Sequence, residues 1–512
     1  MKKKQIKIGT FISYFSILVN IVVGLVYTPW MITTIGQSEY GLYTLANSLI
    51  TLFLIDFGLS SATARFISNY HAAGNDDGVN DFLGIVYKFY AVIDTLIFIV
   101  LFIIFFLIDK IYVNLTVEEI KKFKVVYIIA ASFSLVNLPF VTLNGVLTAY
   151  EKFIQLKLAD LLYRIMVVGF TVFVLLMGWG LYSLVAANAV AGLLIIVYKF
   201  FIVKKFTNVK VNFRAKDRSL VKSIFYFSFW TMIMTIAGRL IFSITPSILG
   251  IVADSTAIAV FGVVVTIEGF VYIITTAING MFMPTISRAY LNGEEEAQSV
   301  LMPLMIKVGR FQFALNGLLI IGFTLVGQSF INLWVGTSYS DAYYGILLVI
   351  LPGIFFNSLQ IANTAMTVQN KVKLQAIIAM ICGVVNVGLS FVLSKYYGVI
   401  GACLSICIAY MLRAVLYHIV HKKIMKFNMG KFIVQCYLRM LPVILVTVCL
   451  GLILNYFIAD GGWLRLIVKV ITITLLYLIA ILFLGLSKNE RKIIFGKIKN
   501  KFCKSDERNV DF

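Results

Sequence analysis

Residues 8–35 read IGTFISYFSILVNIVVGLVYTPWMITTI, an unbroken apolar run. A bilayer crossing needs about 20 such residues in a helix. Met1-Lys2-Lys3-Lys4 in front of it resembles the charged start of a signal peptide. The run is nevertheless too long for one, and no A-x-A cleavage site stands near its end, so it reads as an uncleaved first membrane span. Windows of about 19 residues extend the pattern along the chain. Further spans are expected at 40–66, 82–108, 123–147, 158–177, 180–203, 221–249, 257–283, 304–326, 342–366, 374–394, 398–420, 436–458 and 463–486. The expected fold is thus all-α and polytopic, with about fourteen transmembrane helices. The segments are too long and too uniformly apolar for barrel strands, and a helix satisfies its own backbone in lipid.

Composition agrees. Of 512 residues, 61% are hydrophobic and 13% charged, against about 45–50% and about 25% in soluble proteins, which excludes an ordinary soluble enzyme. The net charge of +21, from 44 Lys and Arg against 23 Asp and Glu, would suggest nucleic-acid binding in a soluble chain. In a membrane chain it follows first from basic loops held on the cytoplasmic side, so no nucleic-acid partner is expected. Lys204, Lys205, Lys210, Arg214, Lys216 and Arg218 fall in one expected inner loop and Lys422, Lys423 and Lys426 in another. The expected outer loops at 36–39, 178–180, 250–256 and 327–341 carry no Lys or Arg. Both termini are therefore expected in the cytoplasm. The loop 109–124 is mixed, with four lysines against three acids. Trp30, Trp179, Trp334 and Trp463 fall at expected outer ends, as an interfacial belt would place them.

A weak internal repeat is visible. Tyr14-Phe15-Ser16 recurs as Tyr226-Phe227-Ser228, and the same offset of 212 carries Asp56 onto Glu268. Two pseudo-symmetric six-helix bundles are expected, at 1–203 and 221–421, joined by a basic cytoplasmic linker at 204–220. Two C-terminal helices at 432–486 and a basic tail at 487–512 complete the organisation. An even number of spans per bundle gives both halves one orientation, as in parallel-repeat transporters.

Enzymatic chemistry has no visible seat. The loops between spans are short, no G-x-x-x-x-G-K-[ST] run occurs, and the three histidines and six cysteines lack metal-ligand spacing. No metal and no cofactor are expected, which leaves a transporter, a channel or a scaffold. Ionisable residues inside spans are costly and usually face a cavity or a partner. Arg65, Lys88, Arg164, Arg310 and Arg413 lie in the inner parts of their spans, within snorkelling reach of the cytoplasmic interface. Arg239 and Glu268 lie at nearly equal depth near the midplane of antiparallel spans, either as a structural ion pair or as the charged lining of a central cavity. Asp56, Ser60 and Thr63 share one face if span 2 is a continuous helix. Such a stripe suits helix packing or a cavity wall.

Gly36-Gln37-Ser38-Glu39-Tyr40-Gly41-Leu42-Tyr43, with Ile55-Asp56-Phe57-Gly58-Leu59-Ser60 and Arg65-Phe66-Ile67-Ser68, resembles the corresponding stretch of bacterial polysaccharide repeat-unit flippases of the Wzx type. These belong to the multidrug, oligosaccharidyl-lipid and polysaccharide (MOP) exporter superfamily. Phe330-Ile331-Asn332-Leu333-Trp334-Val335-Gly336 and the span count extend the likeness over most of the chain.

The resemblance implies a two-lobed helical protein of the bacterial cytoplasmic membrane, working by alternating access. It would carry undecaprenyl-diphosphate-linked oligosaccharide from the inner to the outer leaflet for capsule, O-antigen or exopolysaccharide assembly, beside a polymerase and other assembly proteins. By analogy of span position, Arg239 and Arg65 would contact the diphosphate, with Lys88 a further contact. Glu268 and Asp56 would be lumenal acids, candidates for coupling to H⁺ or Na⁺. The alternatives are a cation-coupled multidrug exporter of the same superfamily and a non-transporting scaffold of a polysaccharide synthase complex.

Overall fold

The computed structural model describes residues 2–53, 56–276, 282–291, 293–458, 461–486 and Arg491. The expected tail 487–512, Arg491 apart, lies outside the described residues, as do Leu54 and Ile55 of the quoted motif.

The described residues are predominantly helical, with no strand among them. In order, the helices are α1 (Lys2–Ile35), α2 (Gln37–Phe53), α3 (Leu59–Ala72), α4 (Asp76–Ile111), α5 (Val117–Phe140), α6 (Thr142–Ala149), α7 (Phe153–Leu176), α8 (Gly180–Phe206), α9 (Arg218–Phe242), α10 (Thr245–Val252) and α11 (Ser255–Thr276). There follow α12 (Met283–Leu291), α13 (Glu294–Trp334), α14 (Asp341–Ile350), α15 (Gly353–Ser358), α16 (Gln360–Val368), α17 (Val372–Lys423), α18 (Met429–Phe432), α19 (Arg439–Phe457) and α20 (Gly462–Ala480). One compact unit comprises the described residues of Met1–Ile273, Trp334–Val349 and Asn370–Arg413; the other comprises those of Ile274–Leu333, Ile350–Gln369 and Ala414–Phe512.

Twelve helices among the described residues are long and apolar enough to cross a bilayer, against the fourteen spans expected. Both differences have a backbone cause. Expected span 2 is broken: Phe57 and Gly58 take left-handed φ of 51° and 72°, which an α-helix cannot contain, so α2 and α3 are separate short helices. Asp56 stands in the break, its Oδ1 accepting from the Ser60 backbone N–H at 3.1 Å and the Tyr90 hydroxyl at 3.0 Å. The continuous Asp56–Ser60–Thr63 stripe therefore does not form, and the acid instead caps the first turn of α3.

Expected spans at 374–394 and 398–420 run together in α17, which folds back at Gly398 (φ 54°, ψ −131°), a conformation reserved for glycine. Residues 390 and 405 would lie about 22 Å apart in a straight helix, yet their hydroxyls are 2.5 Å apart. Ser405 also donates to Asn386 Oδ1 at 3.1 Å. Seven and eight residues either side of the turn, these side chains close a helical hairpin.

The first unit contains a further pairing that proline makes necessary. Pro29 lies inside α1 and has no N–H to return to the Leu25 carbonyl. The Trp334 indole N–H donates to that carbonyl at 2.6 Å, and Trp334 is buried, 5% exposed. The expected interfacial role for Trp334 is thus corrected: its polar edge satisfies a helix defect. Trp179 and Trp463, 59% and 46% exposed, remain free to face lipid.

The mixed loop 109–124 also resolves. Lys122 pairs with Glu39 at 2.9 Å and Glu118 at 3.2 Å, and Lys124 with Asp109 at 2.5 Å. Acids offset three of the four lysines in the loop, so it is a small exception to the charge asymmetry. In the repeat, Asp56 sits in a helix break while Glu268 lies within unbroken α11; the matched acids have different backbones.

Within the second unit, the Tyr437 hydroxyl joins His418 Nε2 at 3.1 Å to Ser358 Oγ at 2.9 Å. Fully buried His421 meets Asn363 Oδ1 at 3.0 Å. Tyr437 lies in a π-helical turn, Ile433–Leu438, leading into α19.

Large exposed apolar surface completes the argument for lipid as solvent. On α4, Val92, Leu96, Ile99 and Ile103 are 62%, 59%, 47% and 51% exposed and share one face. A water-exposed stripe of this kind would drive aggregation. This is a multi-pass membrane protein.

Candidate functional site

In the first unit α1, α2, α5, α7, α8 and α11 surround a cavity of about 440 Å³. Its polar lining is made of amides, phenols, two threonine hydroxyls and one guanidinium: Asn20 and Tyr27 from α1, Tyr43, Asn47 and Thr51 from α2, Tyr163 and Arg164 from α7, Asn188 from α8 and Thr266 from α11. No lining residue is Asp or Glu. Arg164 Nη1 donates to Asn20 Oδ1 at 2.7 Å, and Asn188 Nδ2 donates to the Tyr43 hydroxyl at 2.9 Å. Asn188 Oδ1 is buried with no hydrogen-bond partner among the described residues. A buried polar atom left unsatisfied is expensive.

A second cavity of about 260 Å³ shares Tyr43, Asn47, Thr51 and Thr266 with the first and continues to Phe242, Ser243 and Pro246. That wall is the break between α9 and α10. Pro246 cannot donate to the Phe242 carbonyl, so the helix stops at Phe242 and restarts at Thr245.

One end of this region is tightly closed. A methyl group on Gly41 would fall 2.0 Å from the Ser255 carbonyl oxygen, so α2 and the start of α11 touch backbone to backbone. Glu119 clasps the same place. Its Oε1 accepts from Ser38 Oγ at 2.6 Å and Ser255 Oγ at 2.5 Å, while Oε2 accepts from the Thr116 N–H at 2.8 Å. Thr116 and Glu119 also form the capping box of α5, which fixes the carboxylate's direction.

The five residues singled out from the sequence lie elsewhere in the same unit, and none lines the larger cavity. Arg65 is exposed on α3. Lys88, on α4, donates to the Ala215 carbonyl at 2.8 Å. Asp56 caps α3, as described. Arg239 is half-buried in the last turn of α9, one turn before the wall of the smaller cavity.

No salt bridge joins Arg239 to Glu268 among the described residues. Glu268, half-buried on α11, is within electrostatic reach of the Tyr410 hydroxyl. Arg413 shares that neighbourhood, its guanidinium carbon 5.7 Å from the Tyr410 ring centroid. By sequence depth, Arg413 and Arg164 look like boundary anchors, and nothing in the local pattern marks Asn20 as the partner of Arg164. Asparagine inside an apolar run, as at Asn20, Asn47 and Asn188, was the available signal.

Comparison with known proteins places this geometry. Residues 6–290 match the model of the family described as polysaccharide biosynthesis protein. The uncharacterized membrane protein EpsK of Bacillus subtilis (strain 168) is 21% identical over 500 residues, covering 94% of this chain and 96% of that one. The fold resembles lipid II flippase MurJ in an inward closed conformation, with TM-score 0.72 and 14% identity over 92% of this chain and 97% of that one. It also resembles an inward-facing multidrug resistance MATE family transporter of the MOP superfamily, with TM-score 0.68 and 13% identity over 80% and 94% of the two chains. Matched by that family's model on more than half of its length, this chain belongs to the polysaccharide biosynthesis protein family.

Proposed function

We propose that the chain is a flippase for a lipid-linked oligosaccharide, set in a bacterial cytoplasmic membrane with both termini in the cytoplasm, and that it catalyses no covalent chemistry. The observation that carries this reading is the composition of the larger cavity: amide, phenol, hydroxyl and guanidinium groups with no carboxylate. Sugars offer hydroxyls and flat apolar faces, which amides and tyrosines suit. A diphosphate needs fixed cations, and arginine keeps its charge when partly buried and binds phosphate oxygens in pairs. Undecaprenyl diphosphate is the carrier the reading names. Its head group would otherwise face a prohibitive desolvation penalty in hydrocarbon.

Within this proposal Arg164 is the cavity's cation, Arg239 stands beside the adjoining cavity, and Arg65 and Lys88 act at the periphery. Closure at Gly41 and Glu119 supports alternating access, with the substrate region sealed at the end placed outside. A second reading, a cation-coupled multidrug exporter, draws on half-buried Glu268, an acid suited to a cationic drug or a coupling H⁺ or Na⁺.

Proteoliposomes distinguish the two. The flippase reading expects protein-dependent leaflet exchange of a fluorescent undecaprenyl-diphosphate oligosaccharide, followed with a membrane-impermeant quencher, and no gradient-driven transport of a cationic dye. Dye transport without lipid exchange would replace it by the exporter.

A further inference from the structure

Away from these cavities, α4 and the segment leading into α9 form a further, open pocket of about 660 Å³. Its walls are apolar, with Ile85, Phe89 and Val92 among them, and Lys88, Lys216 and Arg218 are the cations that line it. The pocket is built rather than incidental. Asn212 N–H donates to the Asn80 carbonyl at 3.1 Å, Lys210 N–H to Asn80 Oδ1 at 2.7 Å and Asn212 Nδ2 to Asp81 Oδ1 at 2.6 Å. Together with Lys88 to Ala215, these hold residues 210–215 against the first turns of α4. The acid in the lining, Asp217, is already engaged: its Oδ1 accepts from the N–H groups of Ser219 and Leu220 at 2.8 and 3.1 Å, capping α9. Lys88 uses one of three ammonium donors on Ala215.

Beyond the pocket, the same face of α4 continues as exposed apolar surface. Lys88 lies at i−4 from Val92, at the head of the exposed stripe Val92, Leu96, Ile99 and Ile103. A fixed cation at one end of a long exposed apolar helix face is the complement of a molecule with a phosphate head and an aliphatic tail. A soluble anion would use the cations and leave the stripe without a role.

We infer that Lys88, Lys216 and Arg218 form a binding site for the phosphate head group of a membrane lipid whose hydrocarbon chain lies along α4. Both a bulk anionic phospholipid and a polyprenyl-phosphate lipid have this chemistry. The site is separate from the 440 Å³ cavity and stands whether or not the flippase reading holds. Lys88 would then act at the lipid-facing flank of the protein, not inside it.

The test is lipid retention by the purified full-length protein in native mass spectrometry, with phosphatidylglycerol, undecaprenyl phosphate or neutral diacylglycerol supplied in the detergent. The triple variant K88Q/K216Q/R218Q is compared with K121Q/K204Q/K205Q, which removes the same charge elsewhere. Retention of one or both phosphate lipids should fall at least about tenfold in the first and little in the second, with diacylglycerol held weakly by all. Whichever phosphate lipid is lost names the source. Should the triple variant not fold, K88Q and R218Q singly are expected to show part of the loss. Equal retention in the two triple variants would overturn the proposal, as would complete displacement of lipid by inorganic pyrophosphate, which would make this a soluble-anion site.

Discussion

Replacing Trp334 by Phe tests whether the indole serves the defect that Pro29 leaves in α1. Phenylalanine keeps most of the aromatic volume but cannot donate to the Leu25 carbonyl, now reached at 2.6 Å. With Pro29 in place no backbone N–H at i+4 can take over, so a buried acceptor is orphaned, worth about 1–3 kcal/mol. In a Pro29→Ala background residue 29 regains its N–H, the carbonyl bonds within the helix, and Trp334→Phe should cost only the lost ring contacts. Those contacts are lost in both backgrounds and cancel in a double-mutant cycle, leaving a coupling of about 1–3 kcal/mol. The assay is unfolding of the four proteins in mixed micelles with increasing SDS, read by circular dichroism. Additivity within about 0.3–0.5 kcal/mol would refute the pairing of indole and proline defect.

Three further outcomes follow from the geometry. Gly398→Ala places a side chain at φ 54°, ψ −131°, and should destabilise the α17 hairpin by about 1–3 kcal/mol, visible as a lower unfolding midpoint; an unchanged midpoint would contradict the glycine-only turn. Glu119→Gln weakens charge-assisted bonds from Ser38 and Ser255, each worth about 1.5–3 kcal/mol. An engineered cysteine at Asn47, in a Cys449→Ser background, should then react about tenfold faster with an impermeant thiol reagent from the Glu119 side; no change would show that the clasp does not hold that end closed. Asn188→Leu removes the unpartnered Oδ1 together with the donor to Tyr43, and should slow oligosaccharide-lipid exchange while leaving insertion and yield intact. Normal exchange would remove Asn188 from the substrate path.

Membrane spans were legible because hydrocarbon solvates only long apolar helices, a constraint that residues 8–35 meet without tertiary help. Interruptions inside spans were not. Nothing in the local pattern of span 2 requires Phe57 to turn left-handed; Asp56 makes the break tenable by meeting Ser60 and Tyr90, and Tyr90 is 34 residues away. Trp334 carried the composition of an interfacial anchor, and only the approach of α1 shows its partner. Charge makes candidate site residues legible, since an ion in hydrocarbon is the most expensive group to bury. It singles out Arg239 and Glu268 but says little of Asn20, Asn47 and Asn188, whose convergence depends on how α1, α2 and α8 pack. The separation of Lys88 from the cavity likewise depends on the path of residues 207–217, which hydrophobicity does not determine.

Arg164 gives the most direct test of the central claim, that the carboxylate-free cavity receives the anionic head of a lipid-linked oligosaccharide. Leaflet exchange of the fluorescent undecaprenyl-diphosphate oligosaccharide would be compared in proteoliposomes of the wild type, Arg164→Lys and Arg164→Ala. The account predicts at least about tenfold slower exchange for Arg164→Ala, from the loss of a charge-assisted contact, and partial recovery for Arg164→Lys, which keeps the charge without the planar fork. Wild-type exchange rates in Arg164→Ala, with the protein folded and inserted, would contradict it.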